Sequence, residues 1–326
     1  MHHLIKFMAI VFGVLIVFPG NGFAADKLSV FVTIAPQKYF VQQICKDLVD
    51  VRVMVRPGAD PHTYEPKPQQ MVALSRAKLY FAVGIDFEEA NLGKLTATNP
   101  NLKVIHTDHG IEKLKMEDHH HQDGHAEEHH EDEDHEGDDH EADHDNEKGE
   151  HHEEEEHDED QHGHAGLDPH IWLSPPLVKI QARTIMAALQ KADPGHRSVY
   201  EANFEAFAAQ IDQLDADLKK TFTGKTGLQF MVFHPSWGYF AQAYGLKQVS
   251  IEIEGKDPKP AQLQELIQHA RKNKIKVVFV QPQFSTKSAE LVAREIGGQV
   301  AFADPLAEDW MANLRQVADK FQAALK

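Results

Sequence analysis

The sequence predicts an α/β protein of two lobes, each a mainly parallel sheet covered by helices, joined by one long rigid helix. Short β-branched and aromatic runs alternate with helical patterns before the middle of the chain, and the alternation restarts after it. Near-continuous apolar strands separated by helices are typical of parallel sheets covered on both faces. Between the halves, one apolar stripe continues for about six helical turns, which favours a single long helix there.

Each half carries the strand and helix patterns of one lobe. The first half has predicted strands at residues 28–34, 51–55, 79–83 and, more weakly, 103–105, and predicted helices at 37–48 and 68–77. The second half has predicted strands at residues 229–233, 248–251, 276–280 and 299–303, and predicted helices at 237–244, 260–273, 287–296 and 309–325. Alternation of this kind predicts an α/β architecture twice over.

Two helices are predicted between the halves. Pro175 and Pro176 start the first, which runs to about residue 191 and is stopped by Asp193-Pro194-Gly195. The second spans residues 196–222, and its apolar positions recur at spacings of four and three: Tyr200, Phe204, Phe207, Ile211, Leu214 and Leu218. At about 1.5 Å per residue it would be about 40 Å long, so we expect a rigid strut packed along both lobes.

The predicted division of the chain has four parts and one insertion. Residues 1–25 are expected to be a signal peptide, 26–195 the N-terminal lobe, 196–223 the connecting helix and 224–326 the C-terminal lobe. Residues 117–166 are expected to form a disordered loop inserted in the first lobe.

The N-terminus has the features of a secretion signal. Lys6 precedes an apolar run at residues 7–18, and Ala24 and Ala25 offer a small-residue cleavage site. The run is too short to span a membrane comfortably, and no cysteine for lipid attachment stands at the cleavage site. The mature chain is therefore expected to be periplasmic, with no membrane insertion.

Residues 117–164 consist almost entirely of histidine, aspartate and glutamate. This His/acidic tract holds 14 of the chain's 23 histidines and 24 of its 51 acidic residues, with Lys148 as its only base. Imidazole and carboxylate are ligands for divalent metals, so the tract is predicted to bind metal. It has nothing with which to build a core, and we expect it to bind several ions weakly, unlike an ordered site.

Charge argues against a nucleic-acid partner, and cysteine content excludes an intramolecular disulfide. The tract contributes −23 to the net charge of −18, so the remainder carries about +5 and shows no basic stripe. A nucleic-acid partner is not expected, because the acidic field would repel phosphate. Cys45 is the only cysteine, so an intramolecular disulfide is impossible, and its apolar helical context predicts a buried structural thiol.

Three histidines outside the tract share their context with one carboxylate. His62 follows the predicted strand 51–55, His170 directly precedes a helix, and His234 and Asp304 stand where strands of the second half end. Ligands of open parallel sheets bind at the carboxyl ends of strands, so two facing lobes would bring the four residues together. A proline adjoins each of them and stiffens its loop. Taken singly, each histidine also fits a hydrogen-bonded loop or core position.

The motifs around these residues resemble those of the periplasmic zinc-binding (ZnuA-like) metal receptors, which are solute-binding proteins of ABC-type zinc importers. They are GADPHTYEP at residues 58–66, DPHIWLSP at 168–175, FHPSWGYFA at 233–241 and ADPL at 303–306. They occur in the order of that family, and the His-rich insertion lies where zinc receptors carry theirs. The resemblance covers essentially the whole mature chain, the tract excepted.

The resemblance implies a metal site in a cleft between the lobes, with His62, His170, His234 and Asp304 as its ligands. Manganese receptors of this family generally have Glu where His234 stands, and three imidazoles with one carboxylate suit Zn²⁺ better than Mn²⁺. Pro61 is a departure, because some zinc receptors have Glu there, and a disulfide that some relatives carry is missing. Water could take the place of Asp304.

The resemblance further implies a monomeric receptor, not an enzyme, that delivers zinc to the membrane permease of an ABC importer with its cytoplasmic ATPase. Two alternatives stay open. A zinc-dependent hydrolase would use the three histidines, an activated water and Glu65 as a base, although no G-x-S-x-G motif is present. A metal buffer or chaperone would need no transporter.

Overall fold

Two four-stranded parallel sheets form the framework of the molecule, in a computed structural model that describes residues 27–116, 166–253 and 255–325. The two sheets confirm the predicted two-lobed α/β fold. The predicted signal peptide and the His/acidic tract lie outside the described residues.

The elements of the first lobe in chain order are β1 (Leu28–Val32), α1 (Ala35–Cys45), β2 (Val49–Val53), α2 (Pro68–Leu74), β3 (Leu79–Ala82), α3 (Asp86–Ala97) and β4 (Lys103–His106). The strands form a sheet of order β2-β1-β3-β4, with every pair parallel. Cys45, at the end of α1, is fully buried, and burial raises the pKa of its thiol to about 11. The predicted structural role of this thiol is consistent with that environment.

Helix α3 was not predicted from the sequence. Its buried residues are only Phe87, Glu88 and Leu95, so it has no continuous apolar stripe to reveal it. The Glu88 carboxylate is 1% exposed and accepts hydrogen bonds from the backbone N–H groups of Val83 (2.9 Å) and Gly84 (2.6 Å). A buried carboxylate at its N-terminus therefore stabilises this helix.

Two long helices lie between the two sheets along the chain, as predicted, and the second corresponds to the predicted connecting helix. They are α4 (Pro175–Ala192) and α5 (Arg197–Thr221), and the 25 residues of α5 give a length of about 38 Å. All six apolar positions of the predicted stripe on α5 are buried. The stripe therefore faces protein along the whole helix.

The elements of the second lobe are β5 (Gln229–Val232), α6 (Gly238–Ala243), β6 (Lys247–Ser250), α7 (Pro260–Lys272), β7 (Val277–Val280), α8 (Lys287–Glu295), β8 (Gln299–Phe302) and α9 (Trp310–Ala324). Its sheet repeats the arrangement of the first, with strand order β6-β5-β7-β8 and parallel pairing throughout. Within the described ranges, no helix combines the length and apolarity needed to cross a membrane.

One hydrophobic core joins the two lobes. It extends from the first sheet through α4 and α5 to β5, β7 and α9, while a smaller separate cluster lies within the second lobe. At the junction, Trp310 of α9 packs edge-on against Phe40 of α1, with ring centroids 5.2 Å apart. Its Nε1 donates to the backbone oxygen of Trp172 (2.6 Å), and Trp172 Nε1 donates to that of Pro305 (2.8 Å). We call these two tryptophans with their hydrogen bonds the tryptophan junction.

Candidate metal centre

The three predicted histidines lie together where the lobes meet. One ligand atom from each of His62, His170 and His234 lies within 4.8 Å of the others. Their ring centroids are 5.1 to 6.1 Å apart. His62 lies in the β2–α2 loop, His170 precedes α4 and His234 follows β5, so residues far apart in the sequence form a single cluster.

The free nitrogens of this cluster are buried. His170 and His234 are 3% and 6% exposed. The Nε2 atoms of His62 and His234 are shielded from solvent and have no hydrogen-bond partner among the described residues. Buried polar atoms normally have a partner, and a divalent metal bound by imidazole lone pairs would satisfy both. The residues present therefore fit a metal ion.

Each histidine ring has a carboxylate of its own at Nδ1. A carboxylate only accepts, so each Nδ1 carries the proton and donates it, which leaves the Nε2 lone pair free for a metal. The pairs are His62–Asp86 at 3.1 Å, His170–Asp168 at 2.7 Å and His234–Glu252 at 3.1 Å. These carboxylates fix the orientation of the rings and make them better ligands.

The two Asp-Pro-His motifs make the same hydrogen bond to the backbone. Asp60 accepts a hydrogen bond from the N–H of His62, and Asp168 accepts one from the N–H of His170, each at 2.9 Å. In both cases the aspartate fixes the backbone of the histidine two residues later. Only Asp168 also accepts from the ring of its histidine.

Sequence reasoning missed Asp86 and Glu252. Asp86 lies beyond the end of β3, and Glu252 lies two residues beyond β6. The rule that drew attention to His234, a polar residue at the carboxyl end of a parallel strand, applies equally to these two. No proline-containing motif marks them.

Asp304 is the predicted site residue that the structure does not bring into the cluster. The group of mutually close ligand atoms contains the three histidines alone among the described residues. The Asp304 Oδ1 accepts hydrogen bonds from Gln283 Nε2 (3.0 Å) and from the N–H of Leu306 (2.9 Å). Its Oδ1 is therefore engaged by these two groups, outside the histidine cluster.

The surroundings move the pKa values of two of the histidines in opposite directions. Burial lowers the pKa of His62, but the hydrogen bond to Asp86 and the charges of Asp60, Asp86 and Glu252 outweigh it, so the pKa lies above the usual 6.5. For His170 burial dominates, and its pKa lies below the usual value despite Asp168. The hydrogen bond with His62 in turn lowers the pKa of Asp86.

A pH dependence of metal binding follows from His62. Zinc needs the neutral ring, so affinity is expected to fall as the pH drops through the raised pKa of His62. Asp86→Asn removes the charge that raises this pKa, and the fall should then begin at a lower pH. Zinc competition titrations of a chain lacking residues 117–164, from about pH 5.5 to about pH 8, would measure it.

The matched control for this experiment is Asp50→Asn, which removes a partly exposed carboxylate paired with Arg52 on β2. Asp86→Asn also removes a hydrogen bond that orients the His62 ring, so the absolute affinity can fall for that reason alone. The readout is therefore the pH at which half of the affinity is lost. Equal pH curves for the two variants would contradict control of His62 protonation by Asp86.

The chain is similar to known metal-uptake proteins. The family model described as "Zinc-uptake complex component A periplasmic" matches residues 30–324. The chain is 30% identical to the high-affinity zinc uptake system protein ZnuA of Bacillus subtilis (strain 168), over 86% of this chain and 79% of that protein. It is 25% identical to the manganese ABC transporter substrate-binding lipoprotein PsaA of Streptococcus pneumoniae, over 90% of this chain and 84% of that protein.

Solved structures give the same result. The fold is similar to a crystal structure of ZnuA, with a TM-score of 0.76 and 40% sequence identity over 92% of this chain and 100% of that chain. It is also similar to a zinc-bound ZnuA deletion mutant, with a TM-score of 0.75 and 40% identity over 92% of this chain and 99% of that chain.

Proposed function

Since the chain belongs to the family of the periplasmic zinc-uptake component A, a family of solute-binding proteins, we propose that it captures zinc between its lobes and delivers it to an ABC-type importer. The observation that carries the proposal is the cluster of His62, His170 and His234, each with a carboxylate on Nδ1. Relatives named as zinc uptake and ABC transporter proteins support it.

The ligand set favours zinc as the cargo. Zn²⁺ binds imidazole nitrogen at about 2.0–2.1 Å in tetrahedral geometry, and three neutral rings provide three of its four ligands. Mn²⁺ prefers oxygen ligands, and the cluster presents its carboxylates to the outer ring nitrogens. Asp86, Asp168 and Glu252 also supply negative charge close to the cation, which partly offsets its +2 charge.

For the fourth position, the ligand that the resemblance implies is Asp304. Its Oδ1 accepts hydrogen bonds from Gln283 and from the Leu306 amide, and these oppose a movement of the carboxylate toward the metal. Water is the other candidate for that position. The three histidines bind zinc whichever of the two completes the tetrahedron.

Delivery requires partners outside this chain. We propose a membrane permease as the docking partner, with a cytoplasmic ATPase that supplies the energy, and a monomeric receptor exported to the periplasm by residues 1–25. Relatives are periplasmic proteins or lipoproteins. Hydrolysis is not proposed, because Glu65 is exposed and stands outside the histidine cluster. Capture of the permease by the zinc-loaded receptor would separate a transport protein from a metal buffer.

Zinc stoichiometry with and without residues 117–164 tests the proposal. We expect the mature chain to bind one zinc tightly in the cleft and several more weakly on the His/acidic tract, because flexible imidazole and carboxylate ligands pay more entropy. Deleting the tract should remove only the weak sites in a calorimetric titration. Loss of the tight site on deletion would contradict a cleft site, and a single zinc on both chains would contradict a metal-binding tract.

A further inference from the structure

The segment Gln281-Pro282-Gln283-Phe284, which follows β7, surrounds one side of His234. The Gln281 side chain accepts from the N–H of His234 (3.3 Å) and donates to its backbone oxygen (2.7 Å). The Phe284 ring stacks on the His234 ring, with centroids 4.8 Å apart at an angle of 22°. Between them, Gln283 lines the same cavity as the three histidines.

The two polar atoms of the Gln283 side chain have different surroundings. Its Nε2 donates to Asp304 Oδ1 at 3.0 Å, while its Oε1 is buried and has no hydrogen-bond partner among the residues that the structure describes. The orientation of the amide follows from chemistry, because an amide oxygen facing the carboxylate would have no proton to share. The Asp304 side of Gln283 is therefore a donor, and the side left over is an acceptor without a partner.

Asp304 is held firmly where it lies. In addition to Gln283, the N–H of Leu306 donates to its carboxylate at 2.9 Å, and the Asn313 side chain donates to its backbone oxygen at 2.7 Å. Hydrogen bonds to a charged group are about twice as strong as those between neutral groups. Both bonds to the carboxylate are made to Oδ1, and they oppose its movement toward a metal.

We propose that Gln283 holds Asp304 off the zinc and leaves the fourth position to an exchangeable water, whose hydrogen the Gln283 Oε1 accepts. The inference deepens the proposed zinc capture and rests on it. A tetrahedral ion on three histidines has one position left, and a water there has protons that need an acceptor. Gln283 supplies that acceptor, and because an amide takes up no proton it provides no general base.

An exchangeable position gives zinc a way to leave. A histidine, cysteine or carboxylate ligand of the importer can displace the water and bind the metal before any histidine of the receptor lets go. A permanent fourth protein ligand would have to dissociate first. Gln283 is thus a positioning residue that lowers the zinc affinity somewhat and makes release of the zinc easier.

A double-mutant cycle in the full mature chain tests the role of Gln283. Its variants are Gln283→Leu, Asp304→Asn and both together, with Gln299→Leu as control, since Gln299 is an exposed glutamine of the same lobe. Without Gln283 the Asp304 carboxylate is free to bind the metal. Asp304→Asn should then lower the zinc affinity of Gln283→Leu by a factor at least about ten times the factor by which it lowers the affinity of the unaltered protein.

Cobalt(II), added at one equivalent, gives a second readout. Its tetrahedral complex in the cleft absorbs far more strongly than open complexes on the tract, so the spectrum reports the cleft. We expect added azide to change the spectrum of the unaltered protein and of Gln299→Leu, but not that of Gln283→Leu. Adding Asp304→Asn to Gln283→Leu should restore the azide response.

Two results would overturn a proposal. Equal effects of Asp304→Asn in both backgrounds, or no azide response in the unaltered protein, would overturn the inference while zinc capture by the histidines stands. Failure of the unaltered protein to bind one zinc tightly would overturn the proposed function itself. Thermal unfolding without metal identifies a misfolded Gln283→Leu, in which case Gln283→Asn, too short to reach Asp304 in the same way, takes its place.

Discussion

Replacing His234 by alanine in a chain that lacks residues 117–164 is expected to weaken zinc binding about a hundredfold to a thousandfold. Structural zinc sites of four ligands contribute about 10–16 kcal/mol, so one ligand accounts for about 3–4 kcal/mol, and about 1.4 kcal/mol is a factor of ten. The substitution also leaves the buried Glu252 carboxylate without its ring partner. Competition titration against a chelator of known affinity measures the change.

The control for this experiment is His109→Ala, which removes an exposed histidine of the first lobe and should leave the affinity as it was. The tract is deleted here because a site weakened so strongly would overlap with the weak sites expected on the 14 histidines of the tract. Equal zinc affinity of the two variants would show that His234 is not a ligand, and the proposed site would be wrong.

Trp310→Ala should lower the free energy of unfolding by about 3–5 kcal/mol, the range for removing a large buried aromatic side chain. Trp310 is 1% exposed, packs on Tyr39 and Phe40, and donates a hydrogen bond to Trp172. The substitution leaves a cavity in the tryptophan junction and an unpaired backbone oxygen. Urea unfolding of the metal-free protein measures the loss.

Trp310→Phe separates packing from hydrogen bonding, since it keeps an aromatic ring and loses Nε1. It should cost clearly less than Trp310→Ala. Leu291→Ala, at a 37% exposed position of α8, provides the surface comparison and should have the smallest effect. A cost for Trp310→Ala as small as that of Leu291→Ala would mean that the tryptophan junction contributes little to stability.

Local sequence patterns predicted most of the fold because the elements of both lobes carry their own signals. The strands are short runs of β-branched and aromatic residues, and α5 has an unbroken stripe from Tyr200 to Leu218. Helix α3 lacks such a signal, since the buried Glu88 carboxylate at its N-terminus replaces much of the apolar face. Contacts of that kind arise only when β3 and α3 are already in place, so no local pattern predicts them.

The candidate site divides in the same way. His62, His170 and His234 stand in recognisable motifs, and their approach follows from the geometry of strand ends. Two of the carboxylates that bind their rings are not marked by a local motif, because Asp86 is 24 residues from His62 and Glu252 is 18 residues from His234. The hydrogen bond between Gln283 and Asp304 is likewise invisible in sequence, because it depends on two loops from neighbouring strands β7 and β8.

The tryptophan junction and the shared core have a consequence for how the molecule comes apart. The main core runs through both sheets and the long helices, so neither lobe has the bulk of its buried apolar surface to itself. A domain that unfolds independently needs its own core. The two lobes should therefore unfold in one cooperative transition. The receptor would then be a single folding unit, although it contains two separate sheets.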